Sequence, residues 1–211
     1  LFSAVHPGLI LVDMTTSTPT LAQKIAQTAN EKGVQALDAP VSGGDIGAQK
    51  GTLTIMVGGA QAAFDQVKPV FEAMGQTVHL FGAAGSGQHT KMANQIMIAG
   101  TMTGMTEMLV YAQAAGLDLA AVLQTVNGGS AQNWSLANYG PRILANDFTP
   151  GFFAKHFLKD LKIALTESEK MGLNLPATHQ AKKLYARLVN DAQLGDAGTQ
   201  ALIKLWWPSA K

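Results

Sequence analysis

Lys91 is the residue of this sequence whose position best suits acid–base chemistry. It follows the glycine-rich stretch Gly85-Ser86-Gly87 and lies one turn into a long helical pattern that is otherwise poor in polar residues. Asn94 and Gln95 follow three and four residues later, which places the three polar groups on one helix face. A lysine in a semi-apolar cleft loses hydration of its charged form, so it can exchange a proton with an alcohol near neutral pH. The alternative is an ordinary surface lysine near a helix start.

Two loops carry groups that could bind a ligand. The loop 38–44 contains Ser42, Gly43 and Gly44, a hydroxyl with exposed backbone N–H groups, which favours a carboxylate or oxyanion site. A strand-to-helix turn that needs glycine for geometry alone is the alternative there. The second loop, 13–19, reads Asp-Met-Thr-Thr-Ser-Thr-Pro and follows a predicted parallel strand, at the sheet edge where open α/β sheets bind ligands. Simple capping of the next helix is its alternative.

Other candidates are weaker or fail. Lys159-Asp160 lies on a helix rich in Phe and Leu, where a solvated pair on the polar face is the alternative. Residues 85–90 begin like the dinucleotide fingerprint G-x-G-x-x-G but end in threonine, and no acidic ribose-binding residue follows at the right distance. The sequence contains neither a Walker A motif nor a G-x-S-x-G nucleophile elbow. The five histidines are scattered without metal-ligand spacing, so no metal site is predicted.

The composition excludes several classes of function. The 211 residues are 47% apolar and 14% charged, which is enough to bury a core. A formal net charge of +1 without a basic cluster argues against nucleic-acid and membrane-surface partners. The absence of cysteine excludes disulfides, thiolate nucleophiles and Cys-ligated zinc. Polar residues interrupt the most lipid-like stretch, Met92–Met105, which therefore predicts a buried helix of a soluble protein.

Two kinds of structure must position these residues. Residues 1–84 alternate short apolar strands with helices, which predicts βαβ units and a mainly parallel sheet, an α/β arrangement. After Gly82 the strand patterns stop, and residues 85–211 are predicted to form an all-α domain that opens with a long helix. The predicted strands are 9–12, 34–38, 52–57 and 78–81; the predicted helices are 20–32, 62–74, 85–115, 118–126, 132–144, 156–171, 178–190 and 197–205.

Taken together and in order, these motifs resemble the β-hydroxyacid dehydrogenase family, which includes 3-hydroxyisobutyrate dehydrogenases and tartronate semialdehyde reductases. The resemblance covers essentially the whole chain, and its most specific strings are Asp-Ala-Pro-Val-Ser-Gly-Gly and the glycine–lysine–asparagine block. It implies a partial Rossmann domain over 1–84 and a helical domain over 85–211, similar to the C-terminal domain of 6-phosphogluconate dehydrogenase. The matching strings are residues 13–19, 37–44, 51–53, 56–59, 85–87, 90–95 and 157–161.

The resemblance also implies roles at the substrate. Lys91 would be the proton donor and acceptor, and Asn94 would hold the substrate hydroxyl or carbonyl. Ser42, Gly43 and Gly44 would bind the substrate carboxylate. The implied reaction is reversible hydride transfer between nicotinamide and C3 of a small 3-hydroxy acid, in a cytoplasmic homo-oligomer (a dimer or tetramer) whose partner is a small hydroxy acid or semialdehyde.

On the cofactor side, the resemblance assigns Thr16 and Lys159 to the nicotinamide end of NAD or NADP. The glycine-rich dinucleotide fingerprint of the family is not found in this sequence, and a buried-strand pattern begins within a few residues of Leu1. We therefore expect that an upstream part of the cofactor domain is missing from this chain. We also expect the chain alone to bind the dinucleotide feebly or not at all.

Two other functions remain open at this point. One is an inert fragment or a non-enzymatic dimerisation or interaction module on a broken Rossmann scaffold. The presence of Lys91 and Asn94 weighs against it, because a binding module has no need of them. The other is imine reduction by a related fold, although a lysine at the proton-transfer position makes carbonyl chemistry more natural.

Overall fold

The computed structural model describes residues 2–207, and a parallel strand pair opens its fold. Strand β1 (Ile10–Asp13) pairs with strand β2 (Gln35–Asp38), so that Asp13 lies beside Asp38. Helix α1 (Pro19–Asn30) connects the two strands. It begins where the sequence predicts, because the Thr18 hydroxyl oxygen accepts a hydrogen bond from the Leu21 N–H at 3.1 Å and proline occupies the first turn.

A second group of strands continues the same unit. Strand β4 (Leu53–Val57) pairs with β5 (Gly75–Leu80) in parallel, and helix α3 (Gln61–Met74) connects them. A backbone bridge between Asp38 and Gly58 links the ends of β2 and β4. The strand–helix alternation predicted from the sequence is therefore confirmed.

The segment 38–44 differs from its prediction as a loop. Val41–Ser42 forms the short strand β3, which pairs antiparallel with β4, and Gly44–Lys50 forms helix α2. A two-residue strand and a seven-residue helix containing glycine are too short to show a hydrophobic period, so neither element can be predicted from the sequence. The core of this unit is built from side chains of β2, β4 and α3: Leu37, Leu53, Ile55, Val57, Phe64 and Phe71.

Helix α4 (Ser86–Ala114) is the long helix predicted from the sequence, and its 29 residues extend over roughly 44 Å. The chain forms two compact units, one ending at Asn94 and the other beginning at Gln95. The domain boundary between residues 84 and 85 stays a prediction, because the extent of a compact unit does not fix where a domain begins.

The second unit is helical. The predicted helices are confirmed to within a few residues, except near the C-terminal end, where one continues as a π-helical turn (Arg187–Asp191) and another is a 3-10 helix (Thr199–Leu205). Among residues 2–207, no helix is long and apolar enough to cross a membrane. The remaining α-helices are α5 (Leu119–Asn127), α6 (Trp134–Leu144), α7 (Ala154–Lys170) and α8 (Pro176–Ala186).

Tyr185 is completely buried in the core of the helical unit. Its ring packs edge-on against Phe157, with 4.8 Å between ring centroids, and its hydroxyl donates a hydrogen bond of 3.0 Å to the Thr199 carbonyl. Burial raises the pKa of the Tyr185 hydroxyl well above its usual value of 10.0, and the nearby Tyr139 adds to this shift. The folded protein therefore keeps the phenol proton at pH values where the unfolded chain loses it.

We expect Tyr185 to make the protein sensitive to alkaline pH. Its stabilising contribution is complete below about pH 10 and is lost as the pH rises beyond that value, because only the unfolded chain ionises there. Tyr185→Phe should lower the free energy of unfolding by about 1 kcal/mol at neutral pH, through loss of the hydrogen bond. It should also flatten the decline in stability above pH 10. Urea unfolding of both proteins across this range measures the effect, and parallel pH profiles would contradict it.

Candidate active site

The carboxylate of Asp38 caps the start of helix α4. Asp38 is the last residue of β2 and is only 3% exposed. Its Oδ1 accepts a hydrogen bond from the Gly85 N–H at 2.7 Å, and its Oδ2 accepts one from the Gln88 N–H at 2.8 Å. An anionic acceptor at a helix start satisfies backbone N–H groups that have no partner within the helix. Asp38 therefore fixes the first turn of α4, and with it Lys91, against the end of the sheet.

The glycines of this junction are needed for close packing. A Cβ atom on Gly87 would lie 2.3 Å from the Met56 carbonyl oxygen, and one on Gly58 would lie 2.6 Å from Asp38 Oδ1. Both distances are far below any contact that a real Cβ makes. The first turn of α4 therefore lies directly on the backbone at the ends of β2 and β4.

Lys91 is a buried amine and not a surface lysine. The residue is 6% exposed, and its Nζ donates a hydrogen bond of 2.8 Å to the Val41 carbonyl. Val41 lies in β3 and immediately precedes Ser42, the first residue of the predicted carboxylate site. The structure thus brings the predicted proton donor and the predicted substrate loop together.

Ser42, Gly43 and Gly44 form the turn from β3 into α2. Ser42 is half-buried, and the two glycines are exposed. Their φ angles are +127° and +64°, values that favour glycine, so the alternative of a purely geometric requirement accounts for part of this pattern. Among the described residues, no side chain caps the start of α2. A hydroxyl and backbone N–H groups at an exposed turn are suited to a carboxylate.

Asn94 lies one turn beyond Lys91 on α4 and is half-buried. Its spacing of three residues puts it on the same helix face as Lys91. An amide beside a buried amine offers both a donor and an acceptor to a hydroxyl or carbonyl oxygen.

Thr16 lies in the hydroxyl-rich turn after β1. The turn starts with Asp13, whose Oδ1 accepts hydrogen bonds from the Thr15 N–H at 2.9 Å and the Thr15 hydroxyl at 2.7 Å. The Ser17 hydroxyl oxygen is buried and has no hydrogen-bond partner within residues 2–207. These hydroxyls at the carboxyl end of a parallel strand suit the polar nicotinamide end of a dinucleotide.

Gln88 is a buried polar residue beside the candidate site that the sequence pattern does not single out. It is completely buried, its Nε2 donates a 2.8 Å hydrogen bond to the Thr15 carbonyl, and its Oε1 accepts one of 3.0 Å from the Ser17 N–H. The residue lies one turn before Lys91 on the same helix. A polar residue one turn before Lys91 is the signal for it in the sequence, where it stands within the incomplete fingerprint of residues 85–90.

Lys159 belongs to the helical unit. Its side chain is 47% exposed, whereas the neighbouring Asp160 is fully buried and accepts a 2.7 Å hydrogen bond from Gln95 Nε2. Lys159 Nζ lies 3.1 Å from Asp160 Oδ1 and forms an ion pair with it. The alternative of a solvated pair is therefore wrong for the aspartate. The cofactor role of Lys159 stays a prediction.

In residues 2–207, no cluster of three acidic, histidine or cysteine residues could hold a metal ion.

Comparison with known proteins gives two domain matches that together cover most of the chain. Residues 1–85 match the NAD-binding domain of 6-phosphogluconate dehydrogenase, and residues 85–206 match the NAD-binding domain of NADP-dependent 3-hydroxyisobutyrate dehydrogenase.

Individual relatives agree with these domain matches. An uncharacterised oxidoreductase of Bacillus subtilis is 53% identical over 94% of this chain and 69% of its own length. The 2-hydroxy-3-oxopropionate reductase of Escherichia coli is 43% identical over 84% of this chain, which spans 61% of that enzyme. The solved structure of Mycobacterium tuberculosis 3-hydroxyisobutyrate dehydrogenase with L-serine is similar with a TM-score of 0.89 at 30% identity, over 98% of this chain and 72% of that one.

Proposed function

Because the chain belongs to the β-hydroxyacid dehydrogenase family, we propose that the whole protein catalyses reversible hydride transfer between a small 3-hydroxy acid and its semialdehyde. Its cofactor is NAD or NADP, since both matching domain models are NAD-binding domains. One observation carries the proposal: the buried Lys91 amine is held 2.8 Å from the backbone carbonyl that immediately precedes Ser42. An acid–base group next to a carboxylate-binding turn is the arrangement that a hydroxy acid requires.

A nicotinamide bound at this site would supply the hydride acceptor or donor, and Lys91 moves the proton. During oxidation, neutral Lys91 takes the proton of the substrate hydroxyl onto Nζ as the carbonyl forms. During reduction, protonated Lys91 returns it to the semialdehyde oxygen. The hydrogen bond to the Val41 carbonyl orients the amine for both directions. This orientation raises the rate of proton transfer, because a positioned acid–base group acts without diffusive encounter.

The remaining residues bind and orient. The Asn94 amide holds the reacting hydroxyl or carbonyl oxygen one turn beyond Lys91. Ser42, Gly43 and Gly44 bind the substrate carboxylate with a hydroxyl and backbone N–H groups, which fixes the distance between carboxylate and reacting carbon.

On the cofactor side, Thr16 and, from the helical unit, Lys159 would each bind the nicotinamide end. Thr16 fits this role because its turn follows a parallel strand and is anchored on both sides. Lys159 brings an exposed ammonium group, a charge that suits a dinucleotide. Relatives named as oxidoreductases do not favour the alternative of a non-enzymatic interaction module. Homo-oligomer formation and a cytoplasmic location stay predictions; light scattering on the purified protein tests the first.

A substrate panel tests the proposed activity. The purified whole protein is incubated with NAD⁺ or NADP⁺ and 3-hydroxyisobutyrate, glycerate or L-serine, and formation of the reduced cofactor is followed by absorbance. L-Serine is included because it accompanies the similar M. tuberculosis enzyme. Isobutanol, which has the carbon skeleton of 3-hydroxyisobutyrate without its carboxylate, is the control and should react poorly. Absence of turnover with every 3-hydroxy acid, or equal turnover of isobutanol, would overturn the proposal.

Ser42→Ala should raise the KM for the hydroxy acid by roughly tenfold and leave kcat within a few-fold of wild type. The carboxylate lies away from the reacting carbon and is held about equally in the ground and transition states, so the loss is one of uniform binding. Initial rates over a range of substrate concentrations measure both constants. Ser168→Ala, which removes a buried serine of the helical unit that bonds the Leu165 carbonyl, is the matched control and should leave KM unchanged. A collapsed kcat with unchanged KM would place Ser42 in the chemical step instead.

A further inference from the structure

Gln88 links helix α4 to the turn that contains Thr16. Both ends of its amide are used: Nε2 donates to the Thr15 carbonyl at 2.8 Å, and Oε1 accepts from the Ser17 N–H at 3.0 Å. These partners are the backbone groups directly before and after Thr16. The side chain is completely buried, so water does not compete for either bond.

The two bonds restrain the backbone on both sides of Thr16. Fixing the carbonyl of the preceding residue and the N–H of the following one limits rotation of both peptide units that flank Thr16. Gln88 is itself fixed, because its own N–H donates to Asp38 Oδ2 at 2.8 Å. Gln88 and Lys91 are also three residues apart on one helix face. The position of Thr16 is therefore tied to the helix turn that carries the proton donor.

We propose that Gln88 is a positioning residue for the nicotinamide end of the cofactor, acting through Thr16. This inference rests on the proposed contact between Thr16 and the nicotinamide. Without the amide, the Thr15 carbonyl and the Ser17 N–H lose buried partners, and the turn rearranges to recover hydrogen bonds elsewhere. Thr16 then moves relative to Lys91, and the nicotinamide loses a preorganised contact.

The test compares two ligands that differ only in the nicotinamide. Gln88→Met keeps the volume of the side chain but removes both bonds. It should raise the Kd for NADH about tenfold, the effect of losing one good hydrogen bond, and leave the Kd for ADP-ribose within about twofold. NADH fluorescence titration and displacement of NADH by ADP-ribose give the two constants on the whole protein. An equal loss of affinity for both ligands, or no loss for either, would overturn the proposal.

Gln200→Met is the matched control. Gln200 is also completely buried, and its Nε2 donates to the Asp147 and Thr149 carbonyls at 3.1 Å, but it lies in the helical unit. Its substitution should lower the melting temperature and leave the ratio of the two dissociation constants unchanged. A shift in that ratio equal to the one in Gln88→Met would show that any buried glutamine produces the effect and would overturn the inference.

A double-mutant cycle with Thr16→Ala tests whether Gln88 acts through Thr16. In the Thr16→Ala protein, Gln88→Met should weaken NADH binding by less than about twofold, because the contact it organises is already lost. Additive effects would contradict the inference. If Gln88→Met does not fold, Gln88→Leu serves in its place, because it also removes both bonds and places no carboxylate oxygen against the Thr15 carbonyl. The same comparison of NADH with ADP-ribose then applies. All these measurements use cofactor binding alone. If the wild-type protein turned over no substrate of the panel, the proposed reaction would be wrong, but the binding measurements would still decide whether Gln88 positions Thr16.

Discussion

Lys91→Met should lower kcat by about 10²–10⁴-fold, the usual contribution of a general acid–base group, while the protein keeps its fold. Methionine is the suitable replacement because Lys91 is buried: it fills most of the same space, whereas alanine would leave a cavity. The hydrogen bond to the Val41 carbonyl is lost as well, which should lower the free energy of unfolding by only about 1 kcal/mol. Steady-state kinetics with saturating hydroxy acid and cofactor, together with a melting curve, measure both effects.

Two further variants complete this test: Lys91→Arg separates proton transfer from positive charge, and Lys68→Met is the control. Lys91→Arg keeps a positive charge and hydrogen-bond donors, but a guanidinium does not deprotonate in proteins and cannot accept the hydroxyl proton. It should therefore be about as inactive in oxidation as Lys91→Met. Lys68→Met removes an exposed lysine that pairs with Glu72 on α3 and should leave kcat unchanged. If either Lys91 variant kept more than about a tenth of wild-type kcat, Lys91 would not be the acid–base group.

The features that sequence reasoning predicted well depend on nearby residues. Capping of α1 and the proline in its first turn depend on residues within one turn of chain, and the extent of α4 follows from a continuous helical pattern. The same holds for the parallel pairing of β1 with β2, because a strand–helix–strand unit allows few other arrangements.

The contacts that build the candidate site depend on residues far apart in the chain. Asp38 and Gln88 are separated by 50 positions, and Gln88 and Thr15 by 73. No local pattern marks such a pair, so the sequence indicated a glycine-rich junction without indicating what it packs against. Residue types and spacing indicate Lys91 and Ser42, and the family resemblance implies their roles, but neither predicts the burial of the amine or its bond to the Val41 carbonyl.

Gly87→Ala should be among the most damaging single substitutions in the chain, destabilising it by about 3–5 kcal/mol. The new methyl group would lie 2.3 Å from the Met56 carbonyl oxygen and 2.7 Å from the Asp38 carbonyl oxygen. Both are backbone atoms, and the strand ends that carry them are paired: Asp38 and Gly58 exchange two backbone hydrogen bonds of 3.0 and 2.7 Å. The strain is therefore relieved only if the start of α4 moves away, which breaks the Asp38–Gln88 bond and displaces Lys91. Activity should fall together with stability.

Gly100→Ala on the same helix separates this clash from helix propensity. Alanine favours a helix over glycine by about 0.5–1 kcal/mol at either position, so the intrinsic term is the same for both variants. A Cβ on Gly100 meets no atom within 4 Å, so this substitution should stabilise the protein by roughly that amount and leave kcat unchanged. Urea unfolding of the two variants beside wild type measures the effects, which should have opposite signs and differ by about 3.5–6 kcal/mol. If Gly87→Ala were as well tolerated as Gly100→Ala, the start of α4 would not lie on the strand ends, and the positioning of Lys91 by Asp38 would have to be abandoned.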